Sequence, residues 1–329
     1  MTMNLTAEID QEAEALEATE ATRPTHTPAP VIPDENPEVR QLKERIFENR
    51  GAHYPEVYSP RNLINPTLLT DGIRAASRIA HAINTGQTIV LVADFDCDGA
   101  TSAAILKRAL DSMTQTLWQT GHPKPSRKAA VHHVIPHRFL YGYGLKPMLA
   151  EKVIRPLNPD LIITLDNGIS SHDAVDRIKT WTGVSAFCSS GAPDVIVTDH
   201  HAQGDTLPDA YAVVNPNRKD CQFPSKALAG CGVAFYMVIL IRQALMALLK
   251  RQGNMNALRA VSEFQVNHFA DLVAIGTIGD LVPMDANNRL LVKAGLDRIN
   301  KGLQMPARKA RIRHGARKAR IRPVIFRDS

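Results

Sequence analysis

The chain is poor in cysteine, and the four cysteines that it has are far apart in the sequence. They are Cys97, Cys188, Cys221 and Cys231, and no two of them form a CxxC pair. Structural zinc sites and small disulfide-linked folds usually show closely spaced cysteines. We therefore expect neither, and we expect reduced cysteines in a cytoplasmic protein.

Long hydrophobic runs are also missing from the sequence. No apolar run approaches the ~20 residues that a membrane-spanning helix needs, and the acidic N-terminus has no apolar segment of the secretory type. We therefore expect no membrane partner and no export. The hydrophobic content of 44% and the charged content of 22% are typical of a globular protein with a buried core.

An excess of positive charge is missing from most of the chain, although the net charge is +6. Residues 305–329 hold nine Lys or Arg and one Asp, so the other residues carry 30 basic and 32 acidic side chains. A nucleic-acid site in the body of the protein must therefore depend on local residues and not on global charge.

The two ends of the sequence differ in composition from the middle. Residues 1–36 are acidic and proline-rich, which predicts disorder, and residues 37–84 are predicted to form a helical lead-in. The sequence ARKARIR occurs at 307–313 and again at 316–322. The closely spaced Lys and Arg side chains of this repeat repel one another. We interpret 304–329 as a disordered or non-native tail from truncation or a frame change, or as a basic arm that binds phosphates.

Short apolar runs alternate with helical patterns through the middle of the chain. The predicted strands are residues 88–93, 131–135, 161–165, 194–198 and 211–214. Helices are predicted between them and over 232–249, 266–278 and 289–299. Because apolar strands that alternate with helices are typical of a sheet covered on both faces, we predict an α/β fold with a parallel sheet flanked by helices.

Three acidic residues follow the first predicted strand. Asp94, Asp96 and Asp98 alternate in the segment DFDCDG. Open α/β sheets bind ligands at the carboxyl ends of their strands, and three adjacent carboxylates repel one another unless a cation holds them. A helix cap needs only one Asp, and an EF-hand loop needs a Glu at its twelfth position, which is absent. The cluster therefore predicts a metal site.

The third predicted strand ends in the segment LDNGISS. Asp166 stands directly at the strand end, and Gly168, Ser170 and Ser171 open the next helix. The free N–H groups of a helix N-terminus favour an anion. For the serines taken alone, a simple helix cap is the better explanation.

The fourth predicted strand delivers Asp199, His200 and His201 to the same edge of the sheet. A single histidine is most often structural, but two adjacent histidines after an Asp at a strand end indicate a metal site. The set has carboxylate and imidazole donors and no thiolate, which favours Mn²⁺ or Mg²⁺.

Two further segments are weak on their own. Arg138, in PHRFLYGYGL after the second strand, offers a forked donor suited to phosphate oxygens. The aromatic residues around it could stack on bases or simply pack. Asp280 is a lone acid at the end of an apolar helix and, without the other segments, would be read as a surface residue.

Taken together and in order, six segments resemble the RecJ branch of the DHH phosphoesterases: DFDCDGAT, PHRFLYGYGL, LDNGISS, VIVTDHH, NPNRKDCQFPSKALAGCGVAF and AIGTIGDLVPM. The resemblance assigns residues 85–303 to a DHH domain. It implies 5′→3′ exonuclease activity on single-stranded DNA, with release of 5′-mononucleotides, in DNA recombination and repair. It also implies a single-stranded-DNA-binding protein and a RecQ-type helicase as partners.

The resemblance also implies a role for each site residue. The ligands of a two-metal site for Mn²⁺ or Mg²⁺ would be Asp96, Asp98, Asp166, His200 and Asp280. The catalytic or assisting residues would be His201, Asp94 and Asp199. The residues that bind substrate phosphate would be Arg138, Asn167, Gly168, Ser170 and Ser171. Two such cations would activate a water molecule and hold the attacked phosphate.

The resemblance ends near Pro306, so the DHHA1 and OB-type domains of the family are missing from the sequence. We therefore expect a C-terminally truncated chain with impaired activity. Residues 114–127 and 181–193 are expected to be surface insertions. Two alternatives stay open: a DHH phosphodiesterase acting on short oligonucleotides or cyclic dinucleotides, and an inactive or non-catalytic DHH fragment.

Overall fold

The computed structural model describes residues 36–49, 62–120 and 127–300. Most of the predicted disordered N-terminus and all of the basic tail lie outside these residues. The strands are β1 (Thr88–Ala93), β2 (Ala130–Val134), β3 (Leu161–Leu165), β4 (Asp194–Thr198) and β5 (Ala212–Val214). The helices are α1 (Pro37–Glu48), α2 (Gly72–Thr85), α3 (Cys97–Thr120), α4 (Arg138–Tyr141), α5 (Pro147–Leu149), α6 (His172–Lys179), α7 (Gly230–Arg251), α8 (Met255–Ser262), α9 (Ala270–Gly279) and α10 (Ala286–Asn300).

The five strands form one parallel sheet in the order β2-β1-β3-β4-β5. This confirms the predicted α/β fold. The chain passes from β1 outward to β2 and then crosses back to β3 on the other side of β1. The sheet therefore has a topological switch point between β1 and β3, and the crevice beyond the carboxyl ends of these two strands is where such sheets bind ligands.

Alternation along the strands divides the core between the two faces of the sheet. Ile89 and Leu91 of β1 belong to the larger apolar cluster, which packs against α2, α3 and α7. Val90 and Val92 belong to a smaller cluster, which packs against the α5 region and α6. Because successive side chains of a strand point to opposite faces, a continuous apolar strand supplies both clusters at once.

Helix α7 is the central helix of the larger face. It is 22 residues long and apolar enough to cross a membrane by length and composition. However, 72% of its most apolar stretch is buried inside the protein. The expectation that no apolar run reaches such a length was therefore wrong. Its burial against α2 and α3 identifies it as a core helix.

Several element boundaries differ from prediction. The helix after β1 was predicted over residues 102–113, but α3 begins at Cys97, so Asp98 lies in its first turn. The helix predicted at 266–278 is a 3₁₀ turn (Val266–Phe269) followed by α9. The strand predicted at 131–135 is the edge strand β2, of which only Val134 is buried. Helices α4 and α8 were not predicted.

The two predicted surface insertions are in part integrated into the core. Trp181 is 1% exposed and belongs to the smaller apolar cluster, and Ser185 donates a hydrogen bond of 2.9 Å to Asp160 Oδ1. Thr114 and Leu117 are buried because α3 continues through them. The description of these segments as surface insertions was therefore wrong for these residues.

A buried charge network lies at the amino end of the sheet. The Arg78 side chain is fully buried and donates to Asp194 Oδ2 at 2.7 Å, to Gln87 Oε1 at 2.9 Å and to the Asp160 carbonyl at 3.3 Å. Asp160 in turn accepts hydrogen bonds from the Thr88 amide and from Arg127. This network ties α2 to the starts of β1, β3 and β4.

Candidate metal centre

Acidic and histidine side chains converge beyond the carboxyl ends of β1, β3 and β4. His200 follows β4, and its Nε2 lies 3.1 Å from Asp166 Oδ1, 3.6 Å from Asp280 Oδ2 and 3.7 Å from Asp98 Oδ2. Asp166 follows β3, Asp98 follows β1, and Asp280 ends α9. Four segments that are far apart in sequence therefore meet at the switch point of the sheet.

The segment after β1 uses its acids in different ways. Asp96 is exposed, and its Oδ1 accepts a 2.8 Å hydrogen bond from the Gly99 amide, which caps the start of α3. Gly99 approaches the strand end so closely that a Cβ there would lie 2.5 Å from the Asp94 carbonyl oxygen. Only one of the three acids is needed for capping, so the sequence argument against a simple cap agrees with this geometry.

The N-terminus of α7 orients Asp98. The Gly230 amide donates to Asp98 Oδ2 at 2.6 Å, and the Cys231 amide donates to Oδ1 at 2.8 Å. A Cβ on Gly230 would lie 2.8 Å from both Asp98 Oδ2 and Asp166 Oδ1. The close packing therefore requires glycine at position 230, and the positive end of a long helix faces the acidic cluster.

Three polar atoms at this point have no hydrogen-bond partner although they are buried. They are Asp166 Oδ1, His200 Nε2 and Asp280 Oδ2. Buried polar atoms are nearly always hydrogen-bonded, so a group of three that face one another calls for an explanation. The three atoms lack a common partner, and a cation would be such a partner for the carboxylate oxygens and the neutral imidazole alike.

The pKa values of the acids also indicate that a positive charge is needed at this point. Burial, followed by the neighbouring Asp98 and Asp96, raises the pKa of Asp166 to about 10. Burial also raises the pKa of Asp280, and Asp98 and Asp96 act in the same direction. A positive charge among these acids would favour their ionised forms.

The donor set fits Mn²⁺ or Mg²⁺. Three overlapping groups have ligand atoms within 4.8 Å of one another: Asp98, His200 and Asp280; Asp166, His200 and His201; and Asp94, Asp96 and Asp166. The groups share Asp166 and His200, which is the arrangement expected if two neighbouring cations are held. Carboxylate and imidazole ligands without thiolate suit these metals. Bound cations would supply Lewis acidity toward a phosphate group.

His201 lies beside Asp166 and His200 and is held by Asp199. His201 Nδ1 lies 2.7 Å from Asp199 Oδ1, and the backbone amides of His200 and His201 donate to the same oxygen. Burial alone would raise the pKa of Asp199, but its hydrogen bonds with His201 hold that pKa below the usual value. The hydrogen bond that His201 makes to Asp199 raises the pKa of His201. Nε2 of His201 is thereby turned toward the Tyr143 hydroxyl, 3.4 Å away.

Asp94 is buried behind the other acids, whereas Arg138 lies on the open side of the centre. Asp94 is 2% exposed, its Oδ1 accepts a 2.8 Å hydrogen bond from the Phe95 amide, and burial raises its pKa. The Arg138 guanidinium lies over the Phe95 ring, 4.1 Å from its centroid, and remains exposed. Arg138 is therefore near the acids without an ion pair to any of them among the described residues.

The turn after β3 combines the other residues predicted to bind phosphate. Gly168 has a φ of 115°, and a Cβ there would lie 2.5 Å from Thr164 Oγ1. The next amide, of Ile169, donates to Asp199 Oδ2 at 2.8 Å. Ser170 is exposed and Ser171 is buried at the start of α6. Phosphate binding by Gly168, Ser170 and Ser171 stays a prediction.

Asn167 has a positioning role that the sequence did not indicate. Its amide nitrogen donates to the carbonyls of Val92 and Leu165 at 2.9 Å each, and its oxygen accepts from the Leu145 amide at 3.2 Å. The side chain ties the ends of β1 and β3 to the loop after α4. These three backbone bonds occupy the amide, so phosphate binding by Asn167 stays a prediction without support from this geometry.

Sequence reasoning missed the Gly230 and Cys231 amides and two asparagines, Asn215 and Asn217, whose side chains bind the backbone of His201 and His200. The only signal for them was their place in the long segment NPNRKDCQFPSKALAGCGVAF. Nothing in the residue pattern of this segment indicated which atoms it would contact.

The region that matches a known family contains the whole sheet and the acidic and histidine residues of the centre except Asp280. Residues 88–277 match the model of the DHH family, N-terminal domain. The chain belongs to the DHH family.

Within that family the chain is similar to RecJ proteins. It is 39% identical over 281 residues to the single-stranded-DNA-specific exonuclease RecJ of Dickeya dadantii, and 38% identical over 275 residues to that of Escherichia coli. These matches cover 85% and 83% of this chain and 43% of each relative. The chain therefore spans less than half the length of the curated relatives that it matches.

Two solved structures are similar as well. A crystal structure of exonuclease RecJ bound to manganese superposes with a TM-score of 0.53 at 31% identity, over 75% of this chain and 50% of that chain. The structure of RecJ in complex with Mn²⁺ from Thermus thermophilus has a TM-score of 0.52 at 28% identity, over 81% and 34% of the two chains. Both relatives hold the metal that the donor set of this chain suits.

Proposed function

We propose that this chain hydrolyses phosphodiester bonds of single-stranded DNA with Mn²⁺ or Mg²⁺ as cofactor. The observation that carries the proposal is the meeting of Asp98, Asp166, His200 and Asp280 around three buried atoms without hydrogen-bond partners. The relatives named as single-stranded-DNA-specific exonucleases support the substrate. Removal of nucleotides from the 5′ end as 5′-mononucleotides, in recombination and repair, is the finer part of the proposal.

The residues of the chain have separate tasks in this proposal. Asp96, Asp98, Asp166, His200 and Asp280 hold the cations. Cations supply charge neutralisation and Lewis acidity at the attacked phosphorus when they are bound.

On the open side, His201 Nε2 donates a hydrogen bond to an oxygen of the attacked phosphate and stabilises the developing negative charge, while Asp199 fixes the ring through Nδ1. Arg138, stacked on Phe95, neutralises a phosphate next to the scissile one. Asp94 assists from behind the acids.

The exposed aromatic residues support a single strand as substrate. Phe139 is 90% exposed and Tyr143 is 45% exposed, and both lie on the loop that carries Arg138. Aromatic side chains beside a cationic group are what unpaired bases stack on. A duplex would keep its bases out of their reach. The proposal also extends to a cytoplasmic location and to a single-stranded-DNA-binding protein and a RecQ-type helicase as partners.

The test is hydrolysis by the purified chain after chelation and re-addition of Mn²⁺. Four substrates are compared: a long 5′-phosphorylated single strand, the same strand with a 5′-hydroxyl, the duplex and a dinucleotide. We expect Mn²⁺-dependent release of 5′-mononucleotides, fastest on the phosphorylated single strand. Mn²⁺ binding without cleavage of any substrate would overturn the proposal, and cleavage of the dinucleotide alone would replace it with a small-substrate phosphodiesterase.

A further inference from the structure

The segment that follows β5 binds the backbone of both histidines. Asn215 Nδ2 donates to the His201 carbonyl at 2.9 Å, and Asn217 Nδ2 donates to the His200 carbonyl at 2.5 Å. Strands β4 and β5 are parallel neighbours, so the two loops leave the same edge of the sheet side by side. We call the side-chain amides of Asn215 and Asn217 the asparagine clamp.

The clamp is itself held rigidly. Asn215 is fully buried, and its Oδ1 accepts a 2.7 Å hydrogen bond from the backbone amide of Asn217. Lys226 Nζ donates to the Pro216 carbonyl at 2.6 Å and to the Cys221 carbonyl at 2.8 Å. The clamp therefore has a fixed place relative to β5.

The clamp completes a set of bonds around the two histidines. The amides of His200 and His201 donate to Asp199 Oδ1, and their carbonyls accept from the clamp. The loop has no regular secondary structure at this point, so these bonds take the place of a strand or helix. Asn217 bonds to the carbonyl of His200, whose ring faces the acids, and Asn215 bonds to the carbonyl of His201, whose Nε2 faces Tyr143.

We propose that Asn217 is a positioning residue for cation binding through His200, and that Asn215 is a positioning residue for turnover through His201. This rests on the proposed function, because it assigns the two histidines to metal binding and to phosphate. The structure predicts that the two asparagines are separable: one sets the affinity for Mn²⁺, and the other sets the rate once Mn²⁺ is bound. Partners that orient a ligand in this way typically change affinity or activity ~10–100-fold when removed.

The experiment compares Asn217→Ala with Asn215→Asp in the full chain. Asn215→Asp keeps Oδ1 as the acceptor for the Asn217 backbone amide and replaces the donor to the His201 carbonyl with a carboxylate oxygen. Because this also adds a buried charge, the uncharged Asn215→Ala serves as the second variant. The control is Asn254→Ala, because Asn254 is also buried and bonds to backbone, as the cap of α8, but lies outside the centre. The dissociation constant for Mn²⁺ is measured by calorimetry, kcat at saturating Mn²⁺ on the 5′-phosphorylated single strand, and stability by thermal melting.

We expect Asn217→Ala to weaken Mn²⁺ binding ~10-fold or more while kcat at saturating Mn²⁺ stays near the wild-type value. We expect Asn215→Asp to lower kcat ~10-fold or more with little change in Mn²⁺ affinity. Asn254→Ala should lower the melting temperature and change neither quantity. Asn215→Ala is the second variant if Asn215→Asp does not fold, and its kcat should fall more than that of Asn217→Ala.

Two results would overturn the inference. If both clamp variants lose thermal stability and otherwise behave like Asn254→Ala, the clamp is only structural. If both change affinity and kcat in the same proportion, the separate assignment is wrong. A wild-type chain that binds Mn²⁺ but cleaves nothing would instead refute the proposed function, and the Mn²⁺ affinity of Asn217→Ala would still decide the role of Asn217.

Discussion

The two ends of the same sheet treat buried charge in opposite ways. At the amino end, Arg78 is surrounded by acceptors, and each oxygen of Asp160 has a donor. At the carboxyl end, acids outnumber donors, and buried atoms of Asp166, His200 and Asp280 have no partner. A satisfied network stabilises the fold, whereas a surplus of ligands in one place is stable only with something bound. The difference separates the structural end from the functional end.

The largest effect should follow from Asp166→Asn at the carboxyl end. The amide keeps the shape and removes a charge from the cation site, which costs several kcal/mol of transition-state stabilisation, or about 10³-fold in rate. The free energy of unfolding without metal should stay within about 1 kcal/mol of wild type, because one of several mutually repelling acids is lost. Hydrolysis assays and chemical denaturation measure the two quantities.

Asp176→Asn, on the exposed side of α6, is the matched control and should change neither quantity. A large loss of stability in Asp166→Asn would mean that the carboxyl end is a structural network like the amino end.

Arg78→Met should have the reverse profile. It leaves Asp194, Gln87 and the Asp160 carbonyl without their buried donor, and removal of one partner of a buried pair is expected to cost about 3 kcal/mol of unfolding free energy. The Mn²⁺ affinity of the folded fraction should be unchanged, as measured by calorimetry. If Mn²⁺ affinity falls with stability, the two ends are coupled and the comparison fails.

Mn²⁺ itself should stabilise the chain through the carboxyl end. A ligand that binds only the folded state at 100 times its dissociation constant adds about 2.7 kcal/mol to the free energy of unfolding. We therefore expect the melting temperature to rise with Mn²⁺ in the wild type and in Arg78→Met. No rise is expected in Asp166→Asn, and an equal rise there would place the cation elsewhere.

The smallest effect concerns pH at the amino end. Burial, followed by the nearby Arg78, lowers the pKa of His81 from 6.5 to about 4. The unfolded chain therefore binds a proton that the folded chain refuses, so stability is full above about pH 6.5 and is lost as the pH falls toward 4. The difference between wild type and His81→Gln should reach about 2 kcal/mol over this range in denaturation curves. A difference that does not vary with pH would contradict the assignment.

The sequence predicted the site where strand ends were involved and failed where distant segments dock. Asp94, Asp98, Asp166 and His200 follow apolar runs that alternate with helical patterns, as parallel strands do, and parallel strands end at one edge. Asp280 ends a helix, and no periodicity says where a helix end will lie, so only the resemblance indicated it. The clamp and the Gly230 amide depend on tertiary packing, which local pattern does not encode.

The fold was predictable for a similar reason. Apolar residues that recur every 2.0 residues mark strands, and those that recur every 3.6 residues mark helices. This periodicity does not show which individual residues depart from the pattern. Trp181 was placed in a surface insertion because its neighbours are polar, yet it fills the smaller core. The strand β2 was predicted as a member of the sheet, and only the strand order reveals that it is an edge strand with one neighbour.

The hydrogen bond between the N-terminus of α7 and Asp98 also provides a spectroscopic signal for metal binding at the centre. The Cys231 N–H is donated to a carboxylate oxygen, so its amide resonance senses the charge that this carboxylate carries. In an isotope-labelled sample, this single backbone signal would follow the binding of a diamagnetic ion such as Mg²⁺ at the centre, without an attached probe or a substrate. Helix α7 is ~33 Å long at 1.5 Å per residue. Its other backbone amides therefore lie at increasing distances from the bound ion.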